Sequence, residues 1–201
     1  MLLTGAIFDS SRAQEIIDGG DHEIVGGSDA TQAAPWDLSS TDLRVGDTGQ
    51  GMLTIEEGGA VTSARLVVGN SSASQGDVTV TGEGSNLEVG DDLVVGEEGQ
   101  GTLIVEDGGE TFVDGSVILG ELSASEGSLT VAGEGSSMEV GDDLVVGEEG
   151  QGILIVEDGG EMSLSGLGVL TIGALSDSEG SLTVTGEGSS KEEGQELIVC
   201  E

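Results

Sequence analysis

Carboxylates are the residues of this chain best placed to do chemistry. They recur in pairs: Glu97-Glu98 and Glu148-Glu149, Glu106-Asp107 and Glu157-Asp158, Asp91-Asp92 and Asp142-Asp143. Stacked side-chain oxygens suit a hard cation such as Ca²⁺. Two carboxylates can also share acid–base work on a glycosidic bond. Neither the GGxGxDxUx calcium repeat nor an EF-hand loop occurs. The pairs therefore read first as solvated turn residues that keep the surface soluble. Weak Ca²⁺ binding at Glu97, Glu98, Glu148, Glu149, Glu106, Asp107, Glu157 and Asp158 stays open as the sharper alternative. Counted by repeat units, equivalent pairs fall two coils, or about 10 Å, apart. No other cofactor is implied.

The remaining reactive residues are few. The single histidine, His22, has no nucleophile motif or second histidine nearby, so a surface or cap role is expected. Glycine-rich GEGSS and GEEGQG lack the lysine and strand–loop–helix setting of a phosphate loop and read as turns. Carbohydrate-cleaving β-helices need one cleft with unique carboxylates, basic partners and sugar-stacking aromatics. Here nearly every repeat carboxylate has a copy one unit away. Arg12, Arg44, Arg65 and Lys191 are scattered, and Phe8, Trp36 and Phe112 are the only aromatics. A polysaccharide-active enzyme is thus the third-ranked reading, and no catalysis is expected.

The elements that must position these residues are set by repetition. LRVGDTGQGMLTIEEGGAV starts at Leu43, LVVGEEGQGTLIVEDGGET at Leu93 and LVVGEEGQGILIVEDGGEM at Leu144, with a fourth start at Leu197. A period near 51 residues means a solenoid or a propeller. Each unit divides again into halves of about 25 residues sharing one grammar: apolar-x-apolar-Gly, a turn, Gly-x-Leu-x-Val, a glycine turn. Leu103 and Val105, Leu129 and Val131, and Leu154 and Val156 keep period two, with Thr or Ile between them. That is a strand signal. Helical spacing is absent, and glycine this frequent would break a helix. The pattern predicts an all-β, right-handed parallel β-helix of about six coils over residues 41–201, rising roughly 4.8 Å per coil. The strands are too short, and aromatics too few, for propeller blades.

Residues 1–40 fit the repeat poorly and are assigned to an irregular N-terminal segment or cap. Ser11–Asp18 could be a short helix, although Glu15–Gly27 also echoes the later IVEDGGE phrase, which favours a degenerate first strand. Trp36 is expected to plug the first core layer, since solenoid ends need covering. At the other end, Lys191 and Glu193 stand where Met138 and Val140 stand one unit earlier. Burying unpartnered charge is costly, so the last coil is expected to fray or rotate out. Cys200, the sole cysteine, excludes an internal disulfide and leaves an intermolecular thiol link open. The broken fourth copy suggests a piece of a longer array.

A net charge of −36, from 40 acidic and four basic residues, disfavours nucleic acid and anionic membrane surfaces as partners. No apolar run is long enough to span a bilayer as a helix. MLLTGAIF has no basic start and meets Asp9 at once, so it reads poorly as a signal peptide.

Pro35–Val61 and Leu66–Gly90 carry the motifs VG-D-x-G-x-G-x-LTI-x-x-GG-x-V and G-x-x-TVTG-x-GS, and these recur through Glu201. In this the chain resembles the repeat of autotransporter (type V secretion) passengers and PEP-CTERM-associated proteins. The resemblance implies a secreted or surface-displayed bacterial β-helix, often adhesin-like, without assigning any catalytic residue. Neither an outer-membrane translocator barrel nor a sorting tail lies within these residues. The expected function is a structural or adhesive module, with any surface ligand unidentified. Expected partners are further repeats or self-association through the end coils. A cation-stabilised extracellular scaffold without adhesion ranks second.

Overall fold

The computed structural model describes residues 13–165, 167–192 and 196–199. Every regular element among them is a strand, and every ladder is parallel. The first coil comprises β1 (Gln14–Ile17), β2 (Asp21–Val25) and β3 (Trp36–Leu38); the second, β4 (Asp42–Val45), β5 (Gln50–Ile55) and β6 (Ala60–Ser63). Then come β7 (Leu66–Val68), β8 (Gln75–Thr81) and β9 (Asn86–Val89), followed by β10 (Leu93–Val95), β11 (Gln100–Glu106) and β12 (Glu110–Val113). Next are β13 (Val117–Leu119), β14 (Glu126–Ala132), β15 (Ser137–Val140), β16 (Leu144–Val146), β17 (Gln151–Glu157) and β18 (Glu161–Leu164). The last are β19 (Val169–Ile172), β20 (Glu179–Val184), β21 (Ser190–Glu192) and β22 (Glu196–Val199). Each coil lays one strand on each of three sheets. Sheet I runs from β1 to β22, sheet II from β2 to β20 and sheet III from β3 to β21. The result is a β-solenoid of about seven turns, one more than the repeat count from Leu43 gives.

The extra turn comes from residues 14–38 of the segment assigned to an irregular cap, whose first twelve residues lie outside the described ones. β1 pairs with β4 in register (Ile17 with Val45), β2 with β5, and β3 with β6. A strand, not a helix, occupies Gln14–Ile17. The coil was hard to see because carboxylates hold two of its inward places: Glu15 aligns with Leu43 and Glu23 with Leu53. Glu23 accepts hydrogen bonds from Thr31 Oγ1 (2.6 Å) and Gln32 Nε2 (3.1 Å). Burial, and then the charge of Glu23, raise the Glu15 carboxyl above its ordinary pKa. Trp36 aligns with Val61 and packs, half-buried, against the core. Trp36, Glu15 and Glu23 thus share the first core layer with the buried Ile17 and Val25.

Below it the core is a stack of nearly identical layers. Leu53 and Ile55, Leu103 and Val105, and Leu154 and Val156 are fully buried, as are Leu43, Leu93 and Leu144 of sheet I. Each such side chain contributes about 1.5–3 kcal/mol through removal from water. Sheet I departs from simple alternation, since Val67 and Val94 lie outside the core cluster yet are 1% exposed. Thr111 takes an inward place on sheet III, between Leu87 and Met138, and its hydroxyl has no hydrogen-bond partner.

Glycine is required where coils crowd. Gly96 has φ +76°, and a Cβ there would lie 2.4 Å from the Glu126 carbonyl oxygen. Gly101 has an ordinary φ, but its Cβ would lie 2.4 Å from the Val68 carbonyl oxygen. The positive-φ corner of the EDGG phrase is shared with acids: Glu57, Asp107 and Asp158 adopt φ of 49°, 51° and 50°.

At the far end the backbone continues to pair where fraying was expected. Met162 aligns with Lys191 and Ser163 with Glu192, and β22 pairs with β19. Glu193 and Cys200 lie outside the described residues.

Candidate functional site

The acidic turns are the only sequence-derived candidates, and the fold puts them to three different uses. Between sheets I and II, each turn hangs from the one before it by backbone bonds. Glu97 N–H donates to Gly69 O (3.1 Å), Glu121 N–H to Gly96 O (2.9 Å) and Glu148 N–H to Gly120 O (3.0 Å). The column along this edge therefore reads Asp47, Asn70, Glu97, Glu121, Glu148. Glu97 and Glu148 are two coils apart, as the repeat implies, but Glu121 stacks between them. Neighbouring carboxylates in the column are thus about one coil, 4.8 Å, apart, where the repeat count gave about 10 Å. At Glu98 and Glu149 the intervening residue is Leu122, so that column is not continuous in charge.

Arginine neutralises the upper part of this column. Arg44 Nη1 donates to Asp47 Oδ1 (2.9 Å), which also accepts from Asn70 Nδ2 (2.9 Å). Arg65 lies 3.5 Å from Glu97. Glu121 has no such partner: its Oε2 is buried and accepts no hydrogen bond. Desolvation, followed by the charge of Glu97, pushes its carboxyl pKa upward; Arg65 only partly opposes this.

At the corner between sheets II and III, Asp107 and Asp158 are the left-handed turn residues described above. Glu106 and Glu157 align on either side of Ala132. Beside this corner an open groove of about 600 Å³ is lined by Glu110, Glu134, Asp158, Glu161 and Glu187 with glycine and serine. A serine rung ties the corner from the adjacent coil. Gly58 N–H donates to Ser85 Oγ (3.1 Å), Gly108 N–H to Ser136 Oγ (3.0 Å) and Gly159 N–H to Ser189 Oγ (2.9 Å). Ser85 and Ser136 are fully buried. These are the GEGS serines, which the sequence marked only as turn residues.

Leading into sheet I, the second aspartate of each pair caps the next coil. Asp92 Oδ1 accepts from Ser116 N–H and Asp143 Oδ1 from Val169 N–H, both at 2.9 Å. In the first coil, Asp18 accepts from Thr48 N–H, Thr48 Oγ1 and Gly49 N–H. Although burial acts to raise the Asp18 carboxyl pKa, these bonds hold it below its ordinary value.

Among the described residues, no group of three or more His, Cys, Asp or Glu side chains is arranged to hold a metal ion. The Ca²⁺ candidates are thus distributed along edges and not gathered into a ligand shell. His22 is exposed on the first coil and shares a 2.8 Å hydrogen bond with Thr54. No helix of the described residues is long and apolar enough to cross a membrane. No family model, curated protein or solved structure matches the chain.

Proposed function

We propose that this chain is a non-catalytic module of a bacterial surface or secreted protein, a rigid acidic β-solenoid that acts as a stalk or adhesive surface. The reading joins the solenoid to the autotransporter-passenger type of repeat that the sequence resembles. The observation that carries it is how the carboxylates are used. Asp92 and Asp143 cap successive units, Asp107 and Asp158 turn equivalent corners, and Glu97, Glu121 and Glu148 line one edge. Their roles are structural and repeat with the coil, which is what a spacer roughly 34 Å long requires of its surface.

Incubation with pectate, alginate and related polysaccharides is expected to release neither reducing nor unsaturated ends. Release would overturn the reading in favour of an enzyme. The flanking coding sequence offers an independent check. A downstream translocator barrel would support surface display, and an attached lyase-like domain would oppose it.

A further inference from the structure

On a chain of net charge −36, the centre of the outer face of sheet II is nearly free of charge. Its strands β8, β11, β14 and β17 are seven residues long, against three or four on the other sheets, so it is also the widest face. Alternation puts two central columns outward across the six coils from β5 to β20. They hold threonine, serine, isoleucine and methionine, with Asp77 the only ionisable member. Met52 and Ile153 are 44% and 43% exposed there, and Ile104 and Ile155 are half-buried. Glu106 and Glu157 mark one rim of the face, and Glu126 and Glu179 stand among glutamines along the other.

Charge and area together select an occupant. A cationic partner would be drawn to the carboxylate-rich turns and not to this face. A second copy of the chain meets few like charges across these central columns, whereas an approach along the turn edges opposes carboxylates to carboxylates. Six strands at about 4.8 Å, with five residues at about 3.3 Å across, give roughly 480 Å² per copy before side-chain relief. Two copies therefore bury close to the ~1,000 Å² at which a specific interface begins, so the pairing is weak. We propose that this face is where two copies of the chain pack sheet against sheet once salt screens their mutual repulsion. The inference does not rest on surface display and differs from pairing through end coils.

Sedimentation equilibrium of the full chain at about 0.01 M and about 1 M NaCl tests it, since these bracket Debye lengths of roughly 30 and 3 Å. A 20.0 kDa monomer is expected at low salt and a dimer at high salt. Thr102→Asp and Ser128→Asp place carboxylates in the same column that already carries Asp77 and should weaken the dimer by about tenfold or more. Ile153→Ser, which adds no charge, should weaken it several-fold, while Thr62→Asp on the outer face of sheet III leaves it unchanged. Circular dichroism of each variant reports the fold independently. A monomer at both salt concentrations overturns the proposal. So does a dimer indifferent to all three substitutions on the face, which would place self-association elsewhere.

Discussion

Single residues carry much of the stability of the turns. Ser136 is fully buried, and its hydroxyl accepts from the Gly108 N–H one coil away. Ser136→Ala should cost about 1–3 kcal/mol, the usual penalty for stranding a buried donor, as read from chemical denaturation. Glu121 works in the opposite direction. Its pKa is raised in the folded chain, so its ionised form penalises folding at neutral pH. That penalty is present above the folded pKa and is lifted as pH falls through it towards the ordinary carboxyl range. Glu121→Gln should therefore raise the melting temperature at pH 7, and the gain should shrink as pH approaches about 4. A variant less stable than the parent at pH 7 would contradict the stacking of Glu97, Glu121 and Glu148.

At the scale of strands and turns, the period-two runs were legible because the core is thin and uniform. Leu103 and Val105 face inward, as their spacing requires, and the same holds at Leu129 and Val131. What was not legible followed from two departures from the repeat. Glu15 and Glu23 occupy inward positions of the first coil, so the alternation of polarity that reveals later strands is missing there. The stacked Glu121 was hidden because Gly120 and Gly127 bracket its turn at a spacing of seven positions, against five for Gly96 and Gly101. The glycine grammar was legible, but its causes differ by position. Gly101→Ala is expected to be strongly destabilising, by more than about 2 kcal/mol, because the Val68 carbonyl of the neighbouring coil and the Gly96 amide of its own turn must move. Gly58→Ala meets open space and should cost about 1–2 kcal/mol, for its φ of +80° alone. Thermal melts of the two variants should rank them in that order.

For the molecule as a whole, net charge is the dominant global term. The chain has forty acidic residues, and those set around the narrow solenoid repel one another, a repulsion that the compact state concentrates. The melting temperature should rise steadily between about 0.01 M and 1 M NaCl as the Debye length shortens. Comparing CaCl₂ with NaCl at equal ionic strength separates screening from binding. Equal melts are expected from the edge-wise spread of the carboxylates, and a further upward shift with Ca²⁺ would assign the ion to them.

The alternation of five- and seven-position glycine spacings in the turns between sheets I and II also carries a historical reading. Successive coils are not equivalent; every second coil is. Gly46 to Gly51, Gly96 to Gly101 and Gly147 to Gly152 are the short turns, and Gly69 to Gly76, Gly120 to Gly127 and Gly173 to Gly180 are the long ones. The quantum of duplication is therefore a pair of coils, and the gene can lengthen or shorten by whole pairs without changing the phase of any ladder. Excising Leu93–Asp143 would join Asp92 to Leu144 and leave short and long turns still alternating. Removing a single coil would set two turns of the same length side by side. Length in this architecture is thus an evolvable quantity with a grain of two.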